Sequence, residues 1–430
     1  MPKRLNTANQ DFEADFERLL TASREEKVNV DGTVAGILAD VKARGDAALS
    51  DLTLKFDRLD LTKTAMRVSA ADIADAKSAC PGDLLAAMEH AAERIRDYHV
   101  RQMPEDLRYE QDGISLGYKW TAVQAAGLYV PGGTALLFSS VLMNAIPAQV
   151  AGVDRLVVTM PMPDGKSSPA MLAACDIAGI GEVYRIGGAQ AIGALAYGTE
   201  TITAVDVVVG PGNAYVASAK KQVFGTVGID MVAGPSEVTV VADGKNDPAW
   251  IAADLLAQAE HDATSQSILI TDDESFGDSV ADAVANQLAT LDRKDIAQAS
   301  WTAHGAIIVV EDLRDAAALV DRIAPEHLEL AVDDPDGLAR QIRNAGAIFL
   351  GRHTPEAVGD YIAGPSHVLP TSGTARFSSG LSVMDFLKRT SLIGCDANGL
   401  RLIGPGAVKM AEAEDLAAHA RSVSIRMNLE

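Results

Sequence analysis

The chain has 430 residues, with 37 Lys plus Arg against 59 Asp plus Glu, a formal charge of −22 at pH 7. So acidic a balance excludes a nucleic-acid partner and an anionic membrane surface, since both demand basic surface. Hydrophobic residues make up 48% and charged residues 22%, a globular and not a disordered composition, and the length predicts two or more domains.

The opening stretch, MPKRLNTANQDFEADF, has basic residues with no apolar run behind them, so it does not read as a secretory signal. In the first hundred residues Val34, Ile37, Leu38 and Val41 follow i, i+3, i+4, i+7 spacing, the mark of a helix with one buried face. Leu84, Leu85, Met88, Ala92, Ile95 and His99 predict a second such helix. Thr121 to Val153 carries no charge and is long enough to span a bilayer. Pro131, Gly132, Gly133 and Pro147 interrupt it, and Asn144 and Gln149 add polar groups, so it reads as buried loop and helix in a soluble protein. Beyond residue 153 short apolar runs alternate with helix-like stretches. They are Leu156–Thr159, Val183–Ile186, Val205–Val209, Val238–Val241, Ile268–Ile270, Ile307–Val310 and Ile348–Leu350. That alternation predicts an α/β fold with parallel sheets, two being favoured by length. The last fifty residues show no clear strand; Val408, Ala411, Leu416 and Ala420 predict a helical tail that must pack on something, such as a second subunit. Cys80, Cys175 and Cys395 lie far apart without CxxC spacing, which fits a reducing cytoplasm and excludes a disulfide scaffold or thiolate zinc site.

No GxGxxG follows a strand, so the usual dinucleotide fingerprint is missing. Glycines stand instead at strand ends: Tyr129-Val130-Pro131-Gly132-Gly133, Gly187-Gly188-Ala189-Gln190 and Gly210-Pro211-Gly212-Asn213. Any one loop is better explained by a tight turn; two in succession, each closing on an amide side chain at a helix start, predict a ligand crevice. Gln258 and His261, three apart at a helix end, project from one face and can offer an oxygen and a nitrogen to one metal ion, although a solvated helix end has the same look. Glu326 and His327 follow Pro325, a pairing suited to acid/base work provided that a turn brings the adjacent side chains together. Gly359-Asp360-Tyr361 and Gly364-Pro365-Ser366-His367 predict irregular backbone carrying Asp and His, while Glu414 and His419 in the tail could equally be plain surface. A Gln, His, Asp, His donor set suits zinc; manganese or cobalt would also fit.

Together these motifs resemble the histidinol dehydrogenase family over nearly the whole chain. The resemblance is carried by GLYVPGG (127–133), SSVLMNAIPAQVAGV (139–153), GGAQAIGALAYGT (187–199), GPGNAYVASAK (210–220), GTVGIDMVAGPSEV (225–238), DLLAQAEHD (254–262), RIAPEHLEL (322–330) and ARFSSGLSV (375–383). It implies zinc- and NAD-dependent oxidation of an amino alcohol, L-histidinol, to an amino acid through a bound aldehyde, in histidine biosynthesis. By position, Gln258, His261, Asp360 and His419 are the expected zinc ligands, and Glu326 and His327 the acid/base pair. The expected substrate contacts are Ser236, Gln258, His261, His327, Asp360, His367, Glu414 and His419; the expected NAD contacts are Tyr129, Gln190 and Asn213. The resemblance further implies two incomplete Rossmann-like domains with interleaved segments and an intertwined homodimer in which each tail completes its partner's site. The expected organisation is an N-terminal arm (1–25), a first domain (26–128 with 237–320), a second (129–236 with 321–381) and a helical tail (382–430). The strands at 238, 268 and 307 are then expected in one sheet, and those at 156, 183, 205 and 348 in the other. The chain departs from the family pattern at Ser366, usually Asn, at the tail sequence Glu414-Asp415-Leu416, usually Glu-Gly-Leu, and in the loop after Gly133, where Thr-Ala-Leu-Leu-Phe-Ser replaces a Tyr-Pro-Ser version. These leave open a relative acting on another polar alcohol, such as a sulfonated diol.

Overall fold

Strands Glu237–Ala242, Gln266–Thr271 and His327–Ala331 are buried along their whole length. A parallel strand covered on both faces has no solvent side, which is why these segments read as apolar runs and not as alternating ones. The computed structural model describes residues 2–25, 30–132, 137–232 and 234–427. Its six-stranded parallel sheet runs in the order Lys3–Asn6, Ala306–Val309, Gln266–Thr271, Glu237–Ala242, His327–Ala331, Ala347–Leu350. A five-stranded parallel sheet runs Val183–Tyr184, Arg155–Thr159, Ala125–Tyr129, Val207–Val209, Gly228–Ile229. Helices cover both faces of each sheet, so the protein is α/β, as the sequence predicts.

On the six-stranded sheet, Val238, Val240, Leu269 and Ile307 pack under Ile251, Leu255, Phe276, Val280 and Trp301 on one face. Val241, Ile268, Ile270, Ile308 and Leu328 meet Phe16, Leu19, Val320 and Ile323 on the other. The five-stranded sheet is covered likewise. The helix Asp31–Arg44 packs Val34, Leu38 and Val41 there with Ile192 and Leu195, and the helix Gly82–Val100 packs Met88 and Ile95 on the opposite face.

The strand Ala347–Leu350 was expected in the sheet of 156, 183 and 205. It lies instead beside His327–Ala331, with His327 opposite Ala347. The grouping of segments shifts with it. Residues 327–350 share a sheet with 237–309, while the helix Asp31–Arg44 and the strand Ala125–Tyr129 belong with 155–229. Periodicity identifies a strand but carries no information about its hydrogen-bonding neighbour, so sheet membership is where the reading fails. A third, antiparallel sheet joins Leu107–Gln111, Ile114–Ala122 and Leu387–Cys395. The tail region therefore does contain a strand, hidden in the sequence because LKRTSLIGC mixes charged and apolar residues and is mostly exposed. The expected tail helices follow as Ala397–Ala413 and Ala417–Ser424.

The uncharged stretch contains the helix Ser139–Ala151, buried nearly throughout. No helix among the described residues is long and apolar enough to cross a membrane. Pro147 lies inside that helix and, lacking an N–H, cannot bond the carbonyl of Met143 four residues back. The Ser366 hydroxyl donates to that carbonyl at 3.1 Å. Ser366, one of the departures from the family pattern, thus has an internal task. The expected loop residues Gly133 to Leu136 lie outside the described residues.

Candidate active site

Three elements deliver the titratable residues to one place. The helix Pro248–Ala259 begins with Asp247 accepting the Ala249 N–H and with Pro248 where no donor is needed, so its start is written in the sequence. Its last turn carries Gln258, and His261 follows just past its end. The strand His327–Ala331 starts with His327. The short helix Glu356–Tyr361 carries Asp360, so this segment is helical and not irregular as expected.

His261, Glu356 and Asp360 converge, their ligand atoms all within 4.8 Å of one another. Gln258 is fully buried, and neither its oxygen nor its nitrogen has a hydrogen-bond partner. One Glu356 oxygen, Oε2, is likewise buried and unpartnered. A buried amide with both ends unpaired is costly unless something else satisfies it. Oxygen and imidazole donors of this kind match zinc chemistry, so the residues fit a zinc ion.

Ala324 adopts a left-handed conformation (φ 48°), and Pro325 and the bend at Glu326 follow before the strand begins. This is the turn that adjacent Glu326 and His327 need, and it places a Glu326 oxygen 3.8 Å from His327 Nδ1. Glu326 Oε2 accepts the Glu237 N–H at 2.9 Å and hydrogen-bonds the Ser236 side chain. His327 Nδ1 donates to the Glu237 carbonyl at 3.1 Å, a proton assignment made from that partner. The other nitrogen, Nε2, is then a bare acceptor, buried without a hydrogen-bond partner and 3.7 Å from Asp360 Oδ1. Burial above all pushes His327 down to about 4, so the ring is neutral at pH 7; burial also lifts Glu326 well above the ordinary carboxylate range.

His367 is engaged on both sides. Nδ1 donates to the Asp360 carbonyl at 2.9 Å and Nε2 accepts from the Ser140 hydroxyl at 3.2 Å. In this structure it braces Asp360 rather than offering a free nitrogen. Glu414 and His419 are exposed on the tail and are not part of the His261–Glu356–Asp360 group. The remaining expected residues line the ends of the other sheet. Tyr129 closes its strand, buried, with its hydroxyl accepting the Gly188 N–H at 3.2 Å. Gln190 is buried in the helix Gly188–Tyr197, and Asn213 caps the helix Ala214–Val223 by accepting from Tyr215 and Val216 N–H. Buried Lys220 holds this loop by donating to the Gly210 carbonyl at 2.9 Å while pairing with Asp230, which in turn accepts the Gly210 N–H at 2.8 Å.

The sequence profile of the histidinol dehydrogenase family matches residues 20–427. The chain belongs to the histidinol dehydrogenase family. It is 60% identical over 430 residues to the histidinol dehydrogenase of Rhodospirillum rubrum, covering 100% of this chain and 99% of the relative. It is 59% identical over 429 residues to that of Ruegeria pomeroyi, with 100% and 99% covered. Its fold matches the crystal structure of histidinol dehydrogenase from Elizabethkingia anophelis with a TM-score of 0.94 and 38% identity, covering 99% of this chain and 98% of that one. Members of the family are oxidoreductases, and this chain is an enzyme of that class.

The sequence reading missed Glu356, Glu329 and Asp254. The available signal was a glutamate in the middle of a strand with no solvent side, at Glu329. A buried acid in such a strand requires a partner.

Proposed function

We propose that the protein oxidises L-histidinol to L-histidine through a bound aldehyde, with one zinc and NAD, as a step of histidine biosynthesis in the cytoplasm. The observation that carries this reading is the bare, buried Nε2 of His327 beside Asp360 and the unsatisfied Gln258. It is an acceptor set for a hydroxyl proton at the rim of a metal-binding cluster. Gln258, His261 and Asp360 would hold zinc, with His419 from a partner's tail as the fourth ligand in a homodimer; Glu356 lies close enough to His261 and Asp360 to take part. When bound, zinc would supply a Lewis acid that orients the amino alcohol, and NAD would supply the hydride acceptor.

The chain's own residues supply the rest. His327, neutral and fixed by Glu237, takes the carbinol proton on Nε2. Glu326, raised by burial and steadied by Ser236 and the Glu237 N–H, is a base strong enough to draw a proton from water attacking the aldehyde. Ser236, Glu414 and His419 are the remaining proposed substrate contacts, His367 holding Asp360 behind them. Tyr129, Gln190 and Asn213 are the proposed NAD contacts, placed where glycine backbone and helix starts allow a pyrophosphate close approach. An aldehyde held between the two oxidations is not lost to solvent. Initial-rate assays with zinc-loaded protein test the substrate: L-histidinol should support NADH formation, and sulfonated diols should not. Turnover of a diol with none of histidinol would replace this reading by the other-alcohol one.

A further inference from the structure

Behind the proposed zinc ligands lies a carboxyl pair, one member buried and the other half-buried, that no step of the reaction uses. Asp254 stands one helical turn before Gln258, four residues earlier and so on the same face of the helix Pro248–Ala259. Its carboxyl hydrogen-bonds that of Glu329, which is buried in the middle of the strand His327–Ala331. Two carboxyl groups can hydrogen-bond only by sharing a proton, so one of them is a donor. Glu329 Oε1 also accepts the Glu356 N–H at 2.6 Å. That N–H opens the helix Glu356–Tyr361, whose own cap position, Pro355, offers no side-chain acceptor.

We propose that Asp254 and Glu329 are positioning residues for the metal site, a hydrogen-bonded chain that ties together the elements supplying Gln258 and His261, His327, and Asp360. The inference rests on the zinc reading above. Glu329 faces both ways. Toward the helix of Gln258 it bonds Asp254, and toward the helix of Asp360 it holds the first N–H. Removing it frees two ligand-bearing elements at once, while the strand itself stays paired on both sides. Outer partners that orient metal ligands are commonly worth about 10- to 100-fold in metal affinity.

A glutamine at 329 reproduces both bonds, its oxygen accepting from Glu356 N–H and its NH₂ donating to Asp254. A methionine fills the space with neither. Zinc affinity of the purified full-length chain is measured by competition with a chromophoric chelator, alongside far-ultraviolet circular dichroism and NAD binding. Glu329→Gln should stay within about twofold of the unaltered chain, and Glu329→Met should lose about tenfold or more with NAD binding retained. Should Glu329→Met fail to fold, Asp254→Leu, at a half-buried position, cuts the same chain on the helix side and should also weaken zinc. Equal zinc affinity in Glu329→Met, or in Asp254→Leu where that replaces it, overturns the proposal; so does a loss in Glu329→Gln as large as in Glu329→Met. An unaltered chain that binds no zinc overturns the metal reading itself, a result distinct from either.

Discussion

His261 and His327 stand a few ångströms from the same aspartate with different tasks. His327 has one nitrogen tied to a backbone carbonyl and the other bare, the arrangement of a base. His261 points into the carboxylate cluster, the arrangement of a ligand. His327→Ala should therefore keep about one zinc per chain and lose about 10²- to 10⁴-fold in kcat, whereas His261→Ala should lose the metal. Metal analysis of both variants, with kcat for the first, separates the roles; equal zinc content in the two would refute the assignment. Glu329 offers a pH test at the same scale. Burial first, then the Asp254 charge, raises it well above its ordinary 4.5, and burial lifts Asp254 to about 6. The unfolded chain gives up these protons near pH 4, so above that the folded state binds more protons and these groups cost stability as pH rises. Glutamine cannot ionise in either state. In zinc-free protein the melting temperature of Glu329→Gln relative to the unaltered chain should be lowest near about pH 4 and climb toward about pH 8; a difference that does not change with pH contradicts the raised value.

The helix Ser139–Ala151 tolerates Pro147 because Ser366 answers the carbonyl that proline leaves bare. Ser366→Ala should cost about 1–3 kcal/mol in urea unfolding, the penalty of an unsatisfied buried carbonyl. A change below about 0.5 kcal/mol would mean that the carbonyl finds another partner. What the sequence makes legible at this scale is uneven for a physical reason. Local rules show in local patterns: the helical faces around Val34 and Met88, the helix end at Gln258, and the apolar runs of Val238–Val241 and Ile268–Ile270 all became the expected elements. Non-local choices do not. The partner of Ile348–Leu350, the pairing of Leu387–Cys395 with Ile114–Ala122, and the burial of Glu356 depend on contacts far along the chain. Gln258, His261 and Asp360 could be singled out because their motifs are distinctive, while Asp254 and Glu356 look, one by one, like surface residues and only Glu329, inside an apolar strand, carries a signal.

For the whole molecule, the tail poses the question. Its two helices bury little of themselves, and Ile393, Leu402, Ile403 and Met410 are left exposed. Exposed apolar residues concentrated on one terminal segment suit an interaction surface, and the proposed partner is a second copy. If each tail completes the other's site, the variants His261→Ala and His419→Ala, inactive alone, should complement on mixing, since a hybrid dimer contains one site with both histidines. After subunit exchange, activity should return to about a quarter of the unaltered level. No recovery in a demonstrably mixed dimer would place His419 in its own chain's site, and activity in His419→Ala alone would place it outside any. The acidity of the chain fits the same picture at long range. A charge of −22 would favour approach of the proposed cationic amino alcohol and do nothing for anionic NAD, which on this proposal would rely on local donors at the glycine loops. In the proposed reaction one site performs two successive oxidations on one substrate. The direct measurement is the NADH yield when a limiting amount of L-histidinol is exhausted by zinc-loaded enzyme with excess NAD. About two NADH per histidinol are expected, with histidine as the product; one NADH per histidinol, with aldehyde released, would refute the two-step reaction.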